Sequence, residues 1–195
     1  MFQIGYAKHL NWYIRRFFRR GKSILLKPTL RCNLNCKYCS TKLTTGKKPV
    51  CKRELGFRDW EHILEHHDSI KEITISGGEP FLYRDIVKLV TYLLNRKIMV
   101  SIHTNLTSKR GLKLPKSKRL FIKATYHSGV DIEKFIKNLE LYKKKYRVLV
   151  WVMGIPGSIS KRLQTTSSQR KESSLILAPD GVIFESHQKL ESAYN

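Results

Sequence analysis

Two spacings of apolar residues take turns along this chain, one with the period of a strand and one with the period of a helix. Residues 23–28 (Ser-Ile-Leu-Leu-Lys-Pro) predict a first strand. Residues 57–67 predict a helix with Trp60, Ile63 and Leu64 on one face. Residues 70–76, built on Ile73-Thr74-Ile75, predict a second strand, since β-branched residues suit a pleated, buried surface. A helix over 85–95 carries Ile86, Leu89, Val90 and Leu93 at core spacing, and a third strand covers 98–103. A fourth strand follows over 120–126, then a helix over 131–145 turning Ile132, Phe135, Ile136 and Leu139 inward. The run Val-Leu-Val-Trp-Val-Met inside 147–155 predicts a fifth strand.

Repeated βα units call for a parallel sheet, because a strand, a helix and a second parallel strand connect right-handedly over one face. Five or six such units give an α/β fold of the open or partial (β/α) barrel kind. Ahead of it, residues 2–20 predict a basic amphipathic helix with Tyr6, Leu10, Tyr13, Ile14 and Phe17 on one side, ended by Gly21. Behind it, the polar stretch 157–174 reads as a loop. Residues 175–178 and 182–184 then flank Pro179-Asp180-Gly181 as a short C-terminal β-hairpin. The expected organisation is a helix over 1–22, a core over 23–156, and a loop with a hairpin tail over 157–195.

Charge adds a second layer. The 195 residues hold 38 Lys and Arg against 15 Asp and Glu, a net charge of +23. Such a surface attracts polyanions, anionic membranes or acidic proteins. The excess is spread along the chain rather than gathered with aromatics into one stripe, a weaker pattern for a specific nucleic-acid site. Lys143-Lys144-Lys145 reads as a solvated helix end that complements the helix dipole. The N-terminal helix is expected to act as a lid, or to lie on an anionic membrane or on RNA. No apolar run reaches the roughly 20 residues of a membrane span, and no signal peptide is recognisable, so the cytoplasm is the expected compartment.

Chemistry concentrates just past the first strand. Leu30-Arg31-Cys32-Asn33-Leu34-Asn35-Cys36-Lys37-Tyr38-Cys39 places three of the four cysteines in one loop, spaced Cys-x3-Cys-x2-Cys. Three thiolates this close can hold one inorganic centre in a reducing compartment. Four protein ligands are usual for structural zinc and for ordinary iron–sulfur clusters. A zinc knuckle completed by Cys51 or His66 is therefore one reading, and a four-iron cluster with one open iron is the other. Two more polar clusters, Gly77-Gly78-Glu79-Pro80 and Thr104-Asn105, lie just past later strands, where parallel α/β folds place their sites.

Taken together, the cysteine triplet with Tyr38 and the segment Ser76-Gly77-Gly78-Glu79-Pro80-Phe81-Leu82 resemble the radical S-adenosylmethionine (radical SAM) superfamily, from about Leu25 to Ile155. The resemblance implies that Cys32, Cys36 and Cys39 ligate a [4Fe-4S] cluster whose open iron is chelated by SAM. It implies reductive cleavage of SAM to a 5′-deoxyadenosyl radical that abstracts hydrogen from a substrate. Tyr38 is then expected near the adenine, Gly77 and Gly78 beside the ligand, Glu79 at the SAM amino group, and Asn105 with Ser101 or His103 at the ribose. Gly154-Ile155-Pro156 would end the fifth strand near the adenine. His127, after the fourth strand, is expected on the substrate side, and Cys51 as a spare thiol in a Lys-rich loop. The tail resembles a family segment that often carries a cysteine where Ser186 stands, so no auxiliary cluster is expected. The implied partners are an acidic electron donor such as flavodoxin or ferredoxin, and a peptide, protein or RNA substrate. The rival expectation is a non-catalytic metal- or nucleic-acid-binding protein on the same fold.

Overall fold

The computed structural model describes residues 23–39 and 53–153, together with the backbone of two short strands, 175–177 and 183–184. The expected N-terminal helix, Cys51 with its Lys-rich loop, the 154–156 segment, the loop over 157–174, the Pro179-Asp180-Gly181 turn and Ser186 lie outside the described residues.

Five parallel strands are joined by three α-helices and, between the third and fourth strands, by a segment with a short 3-10 turn. They run β1 (Ser23–Thr29), α1 (Phe57–Glu65), β2 (Glu72–Gly77), α2 (Ile86–Asn95), β3 (Met99–Thr104), β4 (Leu120–His127), α3 (Ile132–Lys143) and β5 (Arg147–Met153). Two further strands follow, β6 (Leu175–Leu177) and β7 (Ile183–Phe184), and the sheet order is β5-β4-β3-β2-β1-β6-β7. The sheet is parallel throughout except for the last pair: β6 lies parallel to β1, and β7 antiparallel to β6. The C-terminal hairpin expected from sequence is therefore a continuation of the core sheet beside its first strand. This is the open sheet of a partial (β/α) barrel.

Strand alternation sorts the sheet into two faces. Ile24 and Leu26, Ile73 and Ile75, Val100 and Ile102, Leu120, Ile122 and Ala124, and Val150 share one core with Trp60 and Leu64 of α1, Ile86, Leu89, Val90 and Leu93 of α2, and Phe135 and Leu139 of α3. Each such side chain, once buried, contributes about 1.5–3 kcal/mol relative to leaving it in water. The opposite face is polar and partly open. Thr74 aligns with Ser101, Ser101 with Phe121, His103 with Lys123, and Thr125 with Trp151. Leu149, on that same face, is 44% exposed. A face buried under helices and a face left polar is what a sheet needs to be both stable and receptive.

Helix ends follow from local chemistry. The α3 N-cap Asp131 accepts from the Lys134 backbone N–H, and Asp59 of α1 accepts from the Gly56 N–H. The lysine run after α3 differs from a purely solvated end: Lys145 donates to the Leu112 carbonyl at 2.6 Å and lies over the Tyr146 ring.

Candidate functional site

The cysteine loop leaves β1 at the carboxyl edge of the sheet and is held there by three strand ends in turn. At β2 the hold is backbone to backbone. Gly78 N–H donates to the Thr29 carbonyl at 3.0 Å, and Glu79 N–H donates to the Arg31 carbonyl at 2.7 Å. Only glycine allows that approach. A Cβ at Gly77, whose φ is +119°, would meet the Thr29 carbonyl oxygen at 2.2 Å, and one at Gly78 would meet that of Arg31 at 2.1 Å. The two glycines therefore dock β2 against the root of the cysteine loop.

At β3 the hold is through asparagines. Asn105 Nδ2 donates to Asn33 Oδ1 at 3.0 Å, and Asn33 Nδ2 donates to Thr107 Oγ1 at 2.8 Å. Asn105 Oδ1 accepts from Thr107 N–H at 3.0 Å and from its hydroxyl at 2.6 Å. At β4 the hold is aromatic. The Tyr38 and His127 rings stack 9° from parallel with centroids 6.0 Å apart, and Ser128 N–H donates to Tyr38 Oη at 3.2 Å.

Beneath these contacts lies Glu79, fully buried. Its Oε1 accepts from Phe81 N–H at 3.1 Å and the Thr104 hydroxyl at 2.8 Å, and its Oε2 from Asn105 N–H at 2.8 Å. Burial pushes its carboxyl above the ordinary range, against the opposite pull of these three hydrogen bonds. The Glu79 carboxylate thereby ties the end of β2 to the end of β3. Arg31 reinforces the loop from outside with a bidentate pair to Glu54, Nε to Oε1 at 2.9 Å and Nη2 to Oε2 at 2.8 Å. Thr29 Oγ1 also bonds Glu54. Asn33, Thr107, Arg31 and Glu54 carry no chemical signature that sequence reading could single out; only their meeting in space does.

The three thiols are partly exposed and unlinked. Cys32 is pushed up by burial first, opposed by the Leu34 N–H and reinforced by nearby Glu79, Cys36 and Cys39. His66 caps the far end of α1, where its Nδ1 meets the His62 carbonyl and Glu65. Three thiols on one loop fit a cluster with one open iron, whereas a zinc knuckle would need a fourth ligand from Cys51, outside the described residues, or from His66.

On the polar face, Ser101 bonds Thr74 at 3.0 Å. His103 Nε2 is buried without a hydrogen-bond partner among the described residues. Burial, with the positive charge of Lys123 beside it, lowers its pKa to about 4, so the ring is neutral at pH 7. A buried ring nitrogen without a protein partner is open to a hydrogen bond from water or a ligand atom. His127 is likewise held below its ordinary value by burial.

The model of the radical SAM superfamily matches residues 26–166 of this chain. Among curated proteins, a GTP 3′,8-cyclase of Staphylococcus carnosus is 39% identical over 77 residues, 37% of this chain and 23% of that protein. A PqqA peptide cyclase of Methylobacterium nodulans is 32% identical over 111 residues, 55% of this chain and 26% of that protein. Among solved structures, Streptococcus suis SuiB bound to its precursor peptide SuiA aligns with a TM-score of 0.62 at 20% identity, covering 80% of this chain and 39% of SuiB. The chain spans about a quarter of the length of these curated relatives.

Proposed function

The chain belongs to the radical SAM superfamily, and on that premise we propose that it is a radical SAM enzyme in which Cys32, Cys36 and Cys39 ligate a [4Fe-4S] cluster and the carboxyl edge of the sheet receives SAM. The observation that carries the reading is the tethering of one three-cysteine loop to the ends of β2, β3 and β4 together. When bound, cluster and SAM supply reductive cleavage of SAM and a 5′-deoxyadenosyl radical able to take a hydrogen atom from a substrate.

The chain's own residues orient and enclose. Gly77, Gly78 and Glu79 fix the β2 edge against the cysteine loop, with Glu79 helping to receive the SAM amino group. Tyr38 offers a ring face at the other side of the loop, for adenine. Asn105, and Ser101 or His103 on the same strand, are the candidates for the ribose; the unpartnered His103 Nε2 is the one with a hydrogen bond to give or accept.

The substrate is proposed to be a peptide, lying along the polar face beside Phe121, Lys123, Thr125, Leu149 and Trp151. This rests on PqqA peptide cyclases among the relatives and on the likeness to SuiB. A second reading, a nucleotide or RNA substrate, draws on the GTP 3′,8-cyclases and on a SAM-dependent nucleotide dehydratase of Selenomonas ruminantium, together with the charge of +23. The same charge suits an acidic flavodoxin or ferredoxin as electron donor. Free thiols suit a reducing compartment such as the cytoplasm, and no described helix is long and apolar enough to cross a membrane.

Anaerobic reconstitution tests the site. Brown protein with about four irons per chain, lost in Cys36→Ala, is expected. Colourless protein holding zinc would support the non-catalytic alternative instead.

A further inference from the structure

Behind Cys36 stands a group that the cofactor reading leaves unused. His127 Nδ1 lies 3.6 Å from Cys36 Sγ and 3.1 Å from Tyr38 Oη. His127 is the last residue of β4 and aligns with Met153 of β5, so the imidazole is carried by a paired strand rather than by a loop. Its plane is set by the stacked Tyr38 ring, whose own hydroxyl is fixed by the Ser128 N–H. The ring therefore approaches the sulfur in a defined orientation.

A sulfur that ligates iron carries no hydrogen and can only accept. An imidazole with its proton on Nε2 would then aim a lone pair at a negatively charged sulfur. The tautomer protonated at Nδ1 turns the same contact into an N–H···S hydrogen bond, with the Tyr38 hydroxyl 3.1 Å away as a second acceptor; the negative charge on a ligating sulfur favours it over the tautomer in which Nδ1 accepts from the tyrosine. Hydrogen bonds to cluster sulfurs withdraw charge and raise the reduction potential, and outer groups of this kind orient the ligands they touch.

We propose that His127 is a positioning residue that donates its Nδ1–H to Cys36 Sγ, anchoring the cysteine loop to β4 and raising the reduction potential of the cluster. The proposal rests on the cluster assignment above and adds the residue that tunes it.

The test is an anaerobic redox titration followed by electron paramagnetic resonance, on reconstituted wild type and on His127→Leu, His127→Asn, His127→Gln and Tyr38→Phe, with iron content measured on each. His127→Leu should keep its iron and titrate at a more negative potential. The Asn amide nitrogen occupies the Nδ1 position and the Gln amide nitrogen the Nε2 position. His127→Asn should therefore stay near wild type while His127→Gln follows Leu, and this comparison stands even where the Leu variant does not load. Equal potentials in wild type, Leu, Asn and Gln variants at full iron content would overturn the proposal and leave the cluster assignment intact. So would a negative shift in Tyr38→Phe with none in His127→Leu, which would make the tyrosine hydroxyl the donor. Failure of wild type itself to bind iron would overturn both.

Discussion

Gly78→Ala is the sharpest perturbation of the site's architecture, because its effect can be worked from distances. The new Cβ would sit 2.1 Å from the Arg31 carbonyl oxygen and 2.5 Å from that of Leu30, both backbone atoms with no rotamer to escape into. Real Cβ atoms do not approach closer than 3.0 Å, so the end of β2 must withdraw from the cysteine loop by about 0.9 Å. That stretches two backbone hydrogen bonds, Gly78 to Thr29 and Glu79 to Arg31. Each contributes about 0.5–1.5 kcal/mol net, and forcing extra volume into a packed site costs typically about 1–3 kcal/mol. The expected destabilisation is about 3 kcal/mol. The loop that carries Cys32 should be displaced with the strand, so iron binding falls even in protein that remains folded. Urea unfolding read by tryptophan fluorescence gives the first quantity, and iron analysis after reconstitution the second. Gly129→Ala is the control: its φ is +96° but nothing lies within 4 Å of the added carbon, so only backbone strain of about 1–2 kcal/mol is expected, with full iron loading. A Gly78→Ala protein within 0.5 kcal/mol of wild type and fully loaded would refute the docking role of the glycine pair.

Three further outcomes follow from the same geometry. Burial raises the Glu79 carboxyl above its ordinary value of 4.5, so the folded state holds that proton more tightly than the unfolded state. The resulting stability is complete below about pH 4.5 and is lost as pH rises through the folded value. Wild type should therefore lose stability relative to Glu79→Gln between pH 4.5 and neutrality in parallel urea titrations; a gain over that range would mean the three hydrogen bonds outweigh burial. Asn138→Ala removes the amide that donates to the buried Leu106 carbonyl at 2.7 Å and should lower unfolding free energy by about 1–3 kcal/mol, with unchanged stability counting against it. Arg31→Met should cost less than about 1 kcal/mol, since the Arg31 side chain is 58% exposed, and a loss of several kcal/mol in chemical denaturation would show that the Glu54 pair is not the exposed contact described.

The layered fold was legible because its signals are local. Ile86, Leu89, Val90 and Leu93 announce a helix face, and all four are buried in it. Val100 and Ile102 announce one face of a strand, while Ser101 and His103 between them announce the other. Glu79 shows where such reading stops. An acidic residue after two glycines suggests a ligand contact; that its carboxylate also meets Thr104 and Asn105, 25 and 26 residues away, has no mark in the sequence. The glycines behave alike: sequence shows that a close approach occurs there, and the structure adds the chain's own carbonyls at Thr29 and Arg31 as partners. The pairing of β6 with β1 joins segments some 150 residues apart, and three apolar residues in a row, Leu175-Ile176-Leu177, do not name a partner. His127 was visible as a residue past a strand, yet its approach to Cys36 depends on how the loop folds back over the edge.

The central claim is that the three-cysteine loop, held by β2, β3 and β4, serves a SAM-cleaving cluster. Its most direct test is the amount of 5′-deoxyadenosine formed when anaerobically reconstituted, reduced protein is incubated with SAM. The account predicts 5′-deoxyadenosine and methionine in equal amounts from wild type and none from Cys36→Ala; no product from iron-loaded wild type, or equal product from the variant, would contradict it.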